Sequence, residues 1–162
     1  MSSMQTLPTT QSCFVCGRAN PIGLKLHFQT DGETVQTHFT PSSSHVGFKG
    51  VIHGGILATL LDEVMVWACG VRTNRFAYCA EMTVRYLQPA RPGEKLIAVG
   101  KLVENRRNRI FEASGELRNE ANLLIAASTG KYLPIPSDEL AGMLDEFESG
   151  PVGIFGTSPA ES

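Results

Sequence analysis

Net charge is nearly absent from this chain. Its 162 residues set 14 Lys and Arg against 16 Asp and Glu, a formal charge of -2, too weak a field to gather nucleic acid or an anionic membrane surface in bulk. The N-terminus MSSMQTLPTTQS has neither a basic region nor an apolar core of the kind that opens a secretory signal. Nor is there an uninterrupted apolar run of the roughly 18 to 20 residues that a membrane span needs. A soluble, cytoplasmic protein with no nucleic-acid or membrane partner is the expectation. Cysteine is sparse: Cys13, Cys16, Cys69 and Cys79. Without a secretory signal these read as reduced thiols, not as a disulfide framework. The pair Cys13-x-x-Cys16 supplies only half of a tetrahedral zinc site and no second close Cys/His pair exists, so His27 or His38 would have to be recruited. The two thiols are therefore expected to pack as small hydrophobes in a turn, with no metal and no cofactor.

What is present is enough apolar material, 42% of the residues, for one compact domain with a real core. Residues 1–12 are polar and Thr/Ser-rich and read as a weakly ordered start. Residues 13–136 read as the folded domain. Residues 137–162 read as a tail in which LAGMLDEFES has the spacing of a short docked helix, before glycines and prolines end it and the chain turns disordered.

Within the domain, LKLHFQT and TVQTHFT alternate apolar and polar residues around Asp31-Gly32, a hairpin pattern. From Gly54 to about Cys69 the run GGILATLLDEVMVWAC predicts a helix buried on nearly every side. The segments YCAEMTVRYLQ, KLIAVGKLVEN, RIFEASGELRN and LLIAASTGKYL follow with period-2 patterning and predict a four-strand antiparallel meander. The fold class is thus α+β, one apolar helix wrapped by a curved sheet. A single sheet covers only part of such a helix, so a partner subunit is expected over the rest.

The polar residues inside that helix are Thr59, Asp62 and Glu63, spaced three and four apart near one stripe. A carboxylate on a buried helix is costly unless paired, hydrogen-bonded or protonated, which makes Asp62 and Glu63 the first functional candidates. The plainer alternative gives them water or a partner such as Arg85. Just upstream, GVIHGG at residues 50–55 opens the helix with two glycines. Free amides at a helix N-terminus carry partial positive charge and suit an oxyanion or a phosphate.

In combination, HGGILATLLDEVM followed by AEMTVRYLQPARPGE resembles the hotdog-fold thioesterase superfamily, nearest its phenylacetyl-CoA thioesterase-like branch, and CFVCGRANPIGLKLHF resembles the entry strand of that branch. The likeness spans roughly residues 13–133. It implies a hotdog fold, homodimers or dimers of dimers, and hydrolysis of acyl-CoA or a related thioester, with coenzyme A entering only as part of the substrate. It places the catalytic acid on Asp62, as general base or as nucleophile, the carbonyl-polarising amide on Gly54 or Gly55, and the helix-opening histidine on His53.

Two positions depart from the family pattern. Gly47 stands where members often carry an Asn or Gln six residues before the histidine, so either His45 stands in or that role is vacant. Cys79 stands where a Ser or Thr often begins the next strand, and as a nucleophile it lacks an evident base. Arg106, Arg107 and Arg109 gather at a predicted strand turn, where Arg107 and Arg109 are candidates for the phosphates of coenzyme A. With His45, Gly47, Thr59, Glu63 and Cys79 they make up the expected substrate-binding set. Two other readings of the same fold remain. A hotdog enoyl-CoA hydratase needs an Asp followed closely by a His, and none of His27, His38, His45 and His53 follows Asp62. A non-catalytic module binding acyl-CoA or an aromatic ligand keeps the pocket without the carboxylate.

Overall fold

A computed structural model describes residues 3–147. Seven strands form one antiparallel sheet in the order β1-β2-β3-β5-β6-β7-β4: β1 Gln5–Thr6, β2 Phe28–Thr30, β3 Thr34–Phe39, β4 Ala77–Tyr86, β5 Leu96–Arg106, β6 Ile110–Asn119 and β7 Leu124–Pro134. The helix α1, Gly54–Thr73, lies across it, and a short α2, Ser137–Ala141, follows β7. The expected α+β fold of a long helix wrapped by a curved antiparallel sheet is the one observed.

The β2–β3 reversal is made by Asp31, whose Oδ1 accepts from the backbone N–H of Glu33 at 2.9 Å and of Thr34 at 2.7 Å, while Gly32 takes φ +94°. The polar start of the chain adds the edge strand β1, after which Leu7 donates its N–H to the Phe28 carbonyl and is buried. The turn Cys13–Gly17 then brings Val15 and Cys16 into the core beside α1. Of the tail expected at 137–162, residues 148–162 lie outside the described residues.

Helix α1 runs four residues past the expected end. Asn74 stops it in the left-handed conformation at φ 59°, its N–H closing on the Gly70 carbonyl. By length and composition the helix is apolar enough to cross a membrane. Here that character faces the sheet: Leu57, Leu60, Leu61, Val64, Met65, Trp67, Ala68 and Cys69 are buried. Phe28 stacks on Trp67 at 6.4 Å, and Phe76 meets the same indole edge-on at 5.8 Å.

The sheet admits the helix closely because the middle of its inner face carries a row of small residues. Gly100 pairs with Gly115, and Gly115 with Ser128, in one row across β5, β6 and β7. A Cβ at Gly100 would stand 2.4 Å from the Val64 carbonyl oxygen, and one at Gly115 would meet Leu61 and Met65 at 3.2 and 3.3 Å. The helix backbone therefore rests directly on strand backbone.

The four strands after the helix are not the meander expected from sequence. Strands β5, β6 and β7 are consecutive, but β4 pairs with β7 at the far edge and β5 pairs with β3. The helix delivers the chain to the far side of the sheet, and the link after β4 must recross. Its proline-containing stretch is tied over the helix start, with Ile52 donating to the Ala90 carbonyl and Gly93 to Pro41, both at 2.8 Å. This path leaves β4 a ten-residue edge strand.

Replacing Gly100 with Ala should cost about 1–3 kcal/mol by overpacking, because the obstacle is helix backbone and no side chain can step aside. Urea unfolding checks this: a lower midpoint with an unchanged m-value is expected, and a wild-type midpoint would mean the helix stands further from the sheet.

Candidate active site

His53 closes the N-terminus of α1. Its Nδ1 accepts from the Gly55 N–H at 2.8 Å, which puts the ring proton of the neutral imidazole on Nε2. The Gly55 amide is thereby spent. The next two amides, of Ile56 and Leu57, both turn back to the His53 carbonyl. The N–H of Gly54 is left as the first-turn amide without an acceptor among the described residues. Of the two glycines expected to polarise a carbonyl, only Gly54 is so disposed.

Gly47 packs closely against His53. A Cβ at Gly47 would lie 3.1 Å from the His53 ring, so no Asn or Gln fits at this position without moving the histidine. His45 is engaged locally through one ring nitrogen: its Nδ1 accepts from the Ser42 N–H at 2.9 Å in a capping box, and its ring packs on Phe39. Its carbonyl does serve the site, accepting the His53 N–H at 2.8 Å. Residues 47, 48 and 51–54 line a cleft of about 430 Å³ in front of the helix start, with Phe48 87% exposed at its rim. Tyr86 closes the other side of that start, donating from its hydroxyl to the Gly54 carbonyl at 2.8 Å.

Asp62 stands two turns further along α1 and is partly buried. Its partner is Tyr132 of β7, not Arg85: the buried phenol donates to Asp62 Oδ1 at 2.9 Å. Burial first, then the Asp62 carboxylate, pushes the Tyr132 hydroxyl above its ordinary range, so it stays a donor. Cys79 is the cross-strand neighbour of Tyr132, and a bulge between Cys79 and Glu81 re-aims the strand there. Burial and the same carboxylate raise the Cys79 thiol, which keeps it protonated beside Asp62 and unsuited to act as a thiolate nucleophile.

Thr59 and Glu63 do not join this group. The Thr59 hydroxyl is spent on the Gly55 carbonyl at 2.8 Å. Glu63, one residue past Asp62, points to the other flank of the helix, where it meets Cys13, Cys16 and the Trp67 side chain. Burial, then the neighbouring Cys13 and Asp62, push its carboxyl up to about 8. The arginine cluster sits at the β5–β6 turn, where Arg107 and Asn108 both take positive φ. Arg106 turns back to Glu104 and Glu112, while Arg107 and Arg109 are exposed.

Sequence reasoning missed Tyr86 and Tyr132. The signal for Tyr132 was available: it occupies an inward position of a strand whose other inward residues are small or apolar, and a buried phenol needs an acceptor.

Within one chain, Gly54 and Asp62 are eight residues apart on one helix, roughly 12 Å at the α-helical rise. Neither the cleft before the helix nor the adjoining one of about 280 Å³ along Tyr86 includes Asp62 in its lining.

The model of the Thioesterase superfamily matches residues 49–126, the stretch that carries His53, Gly54, Asp62 and Cys79. Among curated proteins the chain is 30% identical over 91 residues to acyl-coenzyme A thioesterase 13 of Mus musculus, covering 55% of this chain and 59% of that one. It is 29% identical over 129 residues to the medium/long-chain acyl-CoA thioesterase YigI of Escherichia coli, covering 69% and 81%. The chain spans about 60% of the length of the first curated relatives it matches. Among solved structures, a thioesterase superfamily protein, RHA08564, shares the fold at TM-score 0.69 and 24% identity over 77% of this chain and 61% of that one. The PaaI protein of the E. coli phenylacetic acid degradation operon does so at 0.64 and 21%, over 70% and 81%. The apolar helix, its His-Gly-Gly opening and strands β4 to β6 all fall within this matched stretch: through residues 49–126 the chain is similar to the thioesterase superfamily.

Proposed function

We propose that this chain hydrolyses acyl-CoA thioesters to the free acid and thiol, with Asp62 as general base. The observation that carries this is the pairing of Asp62 with Tyr132, a carboxylate fixed in direction by a phenol on a helix otherwise given over to apolar packing. The names of the mouse and E. coli relatives support the substrate class. In the proposed reaction the Gly54 N–H polarises the thioester carbonyl, Asp62 takes a proton from the attacking water, and the tetrahedral intermediate collapses with loss of the thiolate. Tyr132 keeps the carboxylate oriented, and Cys79 packs beside it as a thiol. Arg107 and Arg109 remain proposed contacts for the phosphates of coenzyme A.

A base and an oxyanion donor must each come within about 3 Å of their target atoms, which the spacing along one helix forbids. The proposed solution is a homodimer in the cytoplasm. Strand β4 is a long free edge whose side chains stay exposed, Tyr78 at 46% and Tyr86 at 53% among them. Two β4 strands paired antiparallel about a two-fold between Met82 and Thr83 set Cys79 opposite Tyr86 of the second copy. Tyr86 marks Gly54 and Cys79 marks Asp62, so each site takes its amide from one subunit and its carboxylate from the other.

Thiol release measured over a panel of acyl-CoAs tests the activity directly. Asp62→Asn, which keeps an acceptor for Tyr132, should leave fold and assembly intact and lower turnover by at least about a hundredfold. Wild-type rates from the folded variant would remove Asp62 from the chemistry. A single turnover in 18O-water should label the released acid and leave the enzyme unlabelled; label in Asp62 would indicate an anhydride instead.

The shared site makes its own prediction. Asp62→Asn and Gly54→Pro, the latter removing the N–H at a helix position that tolerates proline, are each expected to be inactive. Mixed dimers of the two hold one site with both groups and one with neither, and should regain about half of wild-type activity per dimer. Heterodimers confirmed by mass but without activity would place both groups in a single chain.

A further inference from the structure

Outside the proposed active site, the described residues bring together one other group of side chains with the chemistry of a site. Cys13, Cys16 and Glu63 present their ligand atoms within 4.8 Å of one another. Ligands at tetrahedral corners around a zinc ion lie roughly 3.8 Å apart for Zn–S bonds of about 2.3 Å, so small side-chain rotations close the set. We propose that these three residues bind one Zn²⁺ per chain, with a water in the fourth position.

The turn that presents the thiols is already formed. Cys13 Sγ accepts from the Val15 N–H at 3.3 Å, and the Gly17 N–H donates to the Cys13 carbonyl at 2.8 Å. Amides aimed at a sulfur favour its thiolate, the form that ligates metal. Only glycine fits after Cys16: a Cβ at Gly17 would stand 2.4 Å from the Cys13 carbonyl oxygen and 2.6 Å from that of Gln11. The turn is thus shaped to hold two sulfurs on one side of the backbone, a stricter demand than packing two small hydrophobes makes.

Glu63 is the independent observation. It is a carboxylate on the apolar helix whose neighbours are two sulfurs and the Trp67 side chain, with no Lys, Arg or His paired to it among the described residues. A carboxyl so placed is costly by itself. A dication between it and two thiolates reverses that cost, and two sulfurs with one oxygen suit zinc better than magnesium or calcium. Thr10 lies in the next shell, its hydroxyl 3.9 Å from Cys16 Sγ. A cleft of about 400 Å³, lined by Thr10, Ser12, Cys13 and Phe76 among others, borders the cluster on its Cys13 side. Loading releases the thiol protons still present and involves no redox step. The ion would tie the N-terminal turn to α1 at the residue next to Asp62, without joining the thioester chemistry.

The test uses the full chain, purified under reductant without a histidine tag. Elemental analysis should find about one zinc per chain. The metal-depleted protein should take up one equivalent of Zn²⁺, or of Co²⁺ with thiolate-to-cobalt charge-transfer absorption. X-ray absorption at the zinc edge should give two sulfurs and two lighter ligands. Cys13→Ala and Cys16→Ala should abolish binding, and Glu63→Gln should weaken it by roughly tenfold or more. Should a cysteine variant fail to fold, the cobalt and X-ray spectra of the wild type decide alone. The proposal is overturned if reduced wild type takes up no metal, if Cys13 and Cys16 form a disulfide in the presence of zinc, or if Glu63→Gln binds as tightly as wild type. A one-sulfur or all-oxygen shell overturns it equally. None of these readouts depends on thioester hydrolysis, so this site and the proposed activity stand or fall separately.

Discussion

The contact on which the rest of the molecule depends is that between the backbone of α1 and the glycine row of the sheet. With Gly100 against the Val64 carbonyl and Gly115 against Leu61 and Met65, the helix sits lower than side-chain packing on both surfaces would allow. Depth fixes rotation as well as height. A helix resting on strand backbone cannot turn about its axis without driving Leu61 or Met65 into the sheet, so every position on it has one assigned direction.

From that fixed rotation follow the opposite fates of two adjacent acids. Asp62 and Glu63 are separated by about 100° around the helix. The glycine seat sends the first toward β7 and β4, where Tyr132 and Cys79 wait, and the second toward the Cys13–Gly17 turn. The chain thus carries two carboxyls on one apolar helix in different surroundings, one met by a buried donor and the other set beside a pair of sulfurs. Neither contact is local in sequence. Tyr132 is 70 residues from Asp62.

That distance explains what the sequence made legible and what it did not. The helix, the β2–β3 hairpin and the strands after the helix could be read because each is announced by its own periodicity. Asp62 could be singled out as a candidate because a charge inside an apolar run is anomalous wherever the run ends up. The placement of β4 at the far edge could not, since strand order depends on where the helix releases the chain and periodicity carries no information on that. The glycines of AVGKL, ASGEL and STGKY look like interruptions in strands when taken singly, and only the register that aligns Gly100 with Gly115 shows a seat. The third neighbour of the cysteine pair is not a distant histidine but Glu63, which the stripe spacing groups with Asp62 and the fold turns to the other flank. Stripe arguments place residues three or four apart on one side, and here Thr59 was satisfied within the helix while its two neighbours diverged.

The same seat bears on why the proposed site should span two subunits. The sheet covers one side of α1, while Ile56, Thr59 and Val66 on the helix stay at intermediate exposure and β4 is left as a free edge. His53 commits the Gly55 amide to closing the helix, so the one donor left for a substrate is at the extreme end of the rod. Asp62 lies two turns away on the same rod, with the glycine row beneath the helix and Tyr132 bonded to its carboxylate. In the proposed dimer, a second rod running the other way would supply the missing group, cover the half-exposed face and remove the free edge in a single association. Helix seat, unpaired edge and divided site are on this account three consequences of one packing decision.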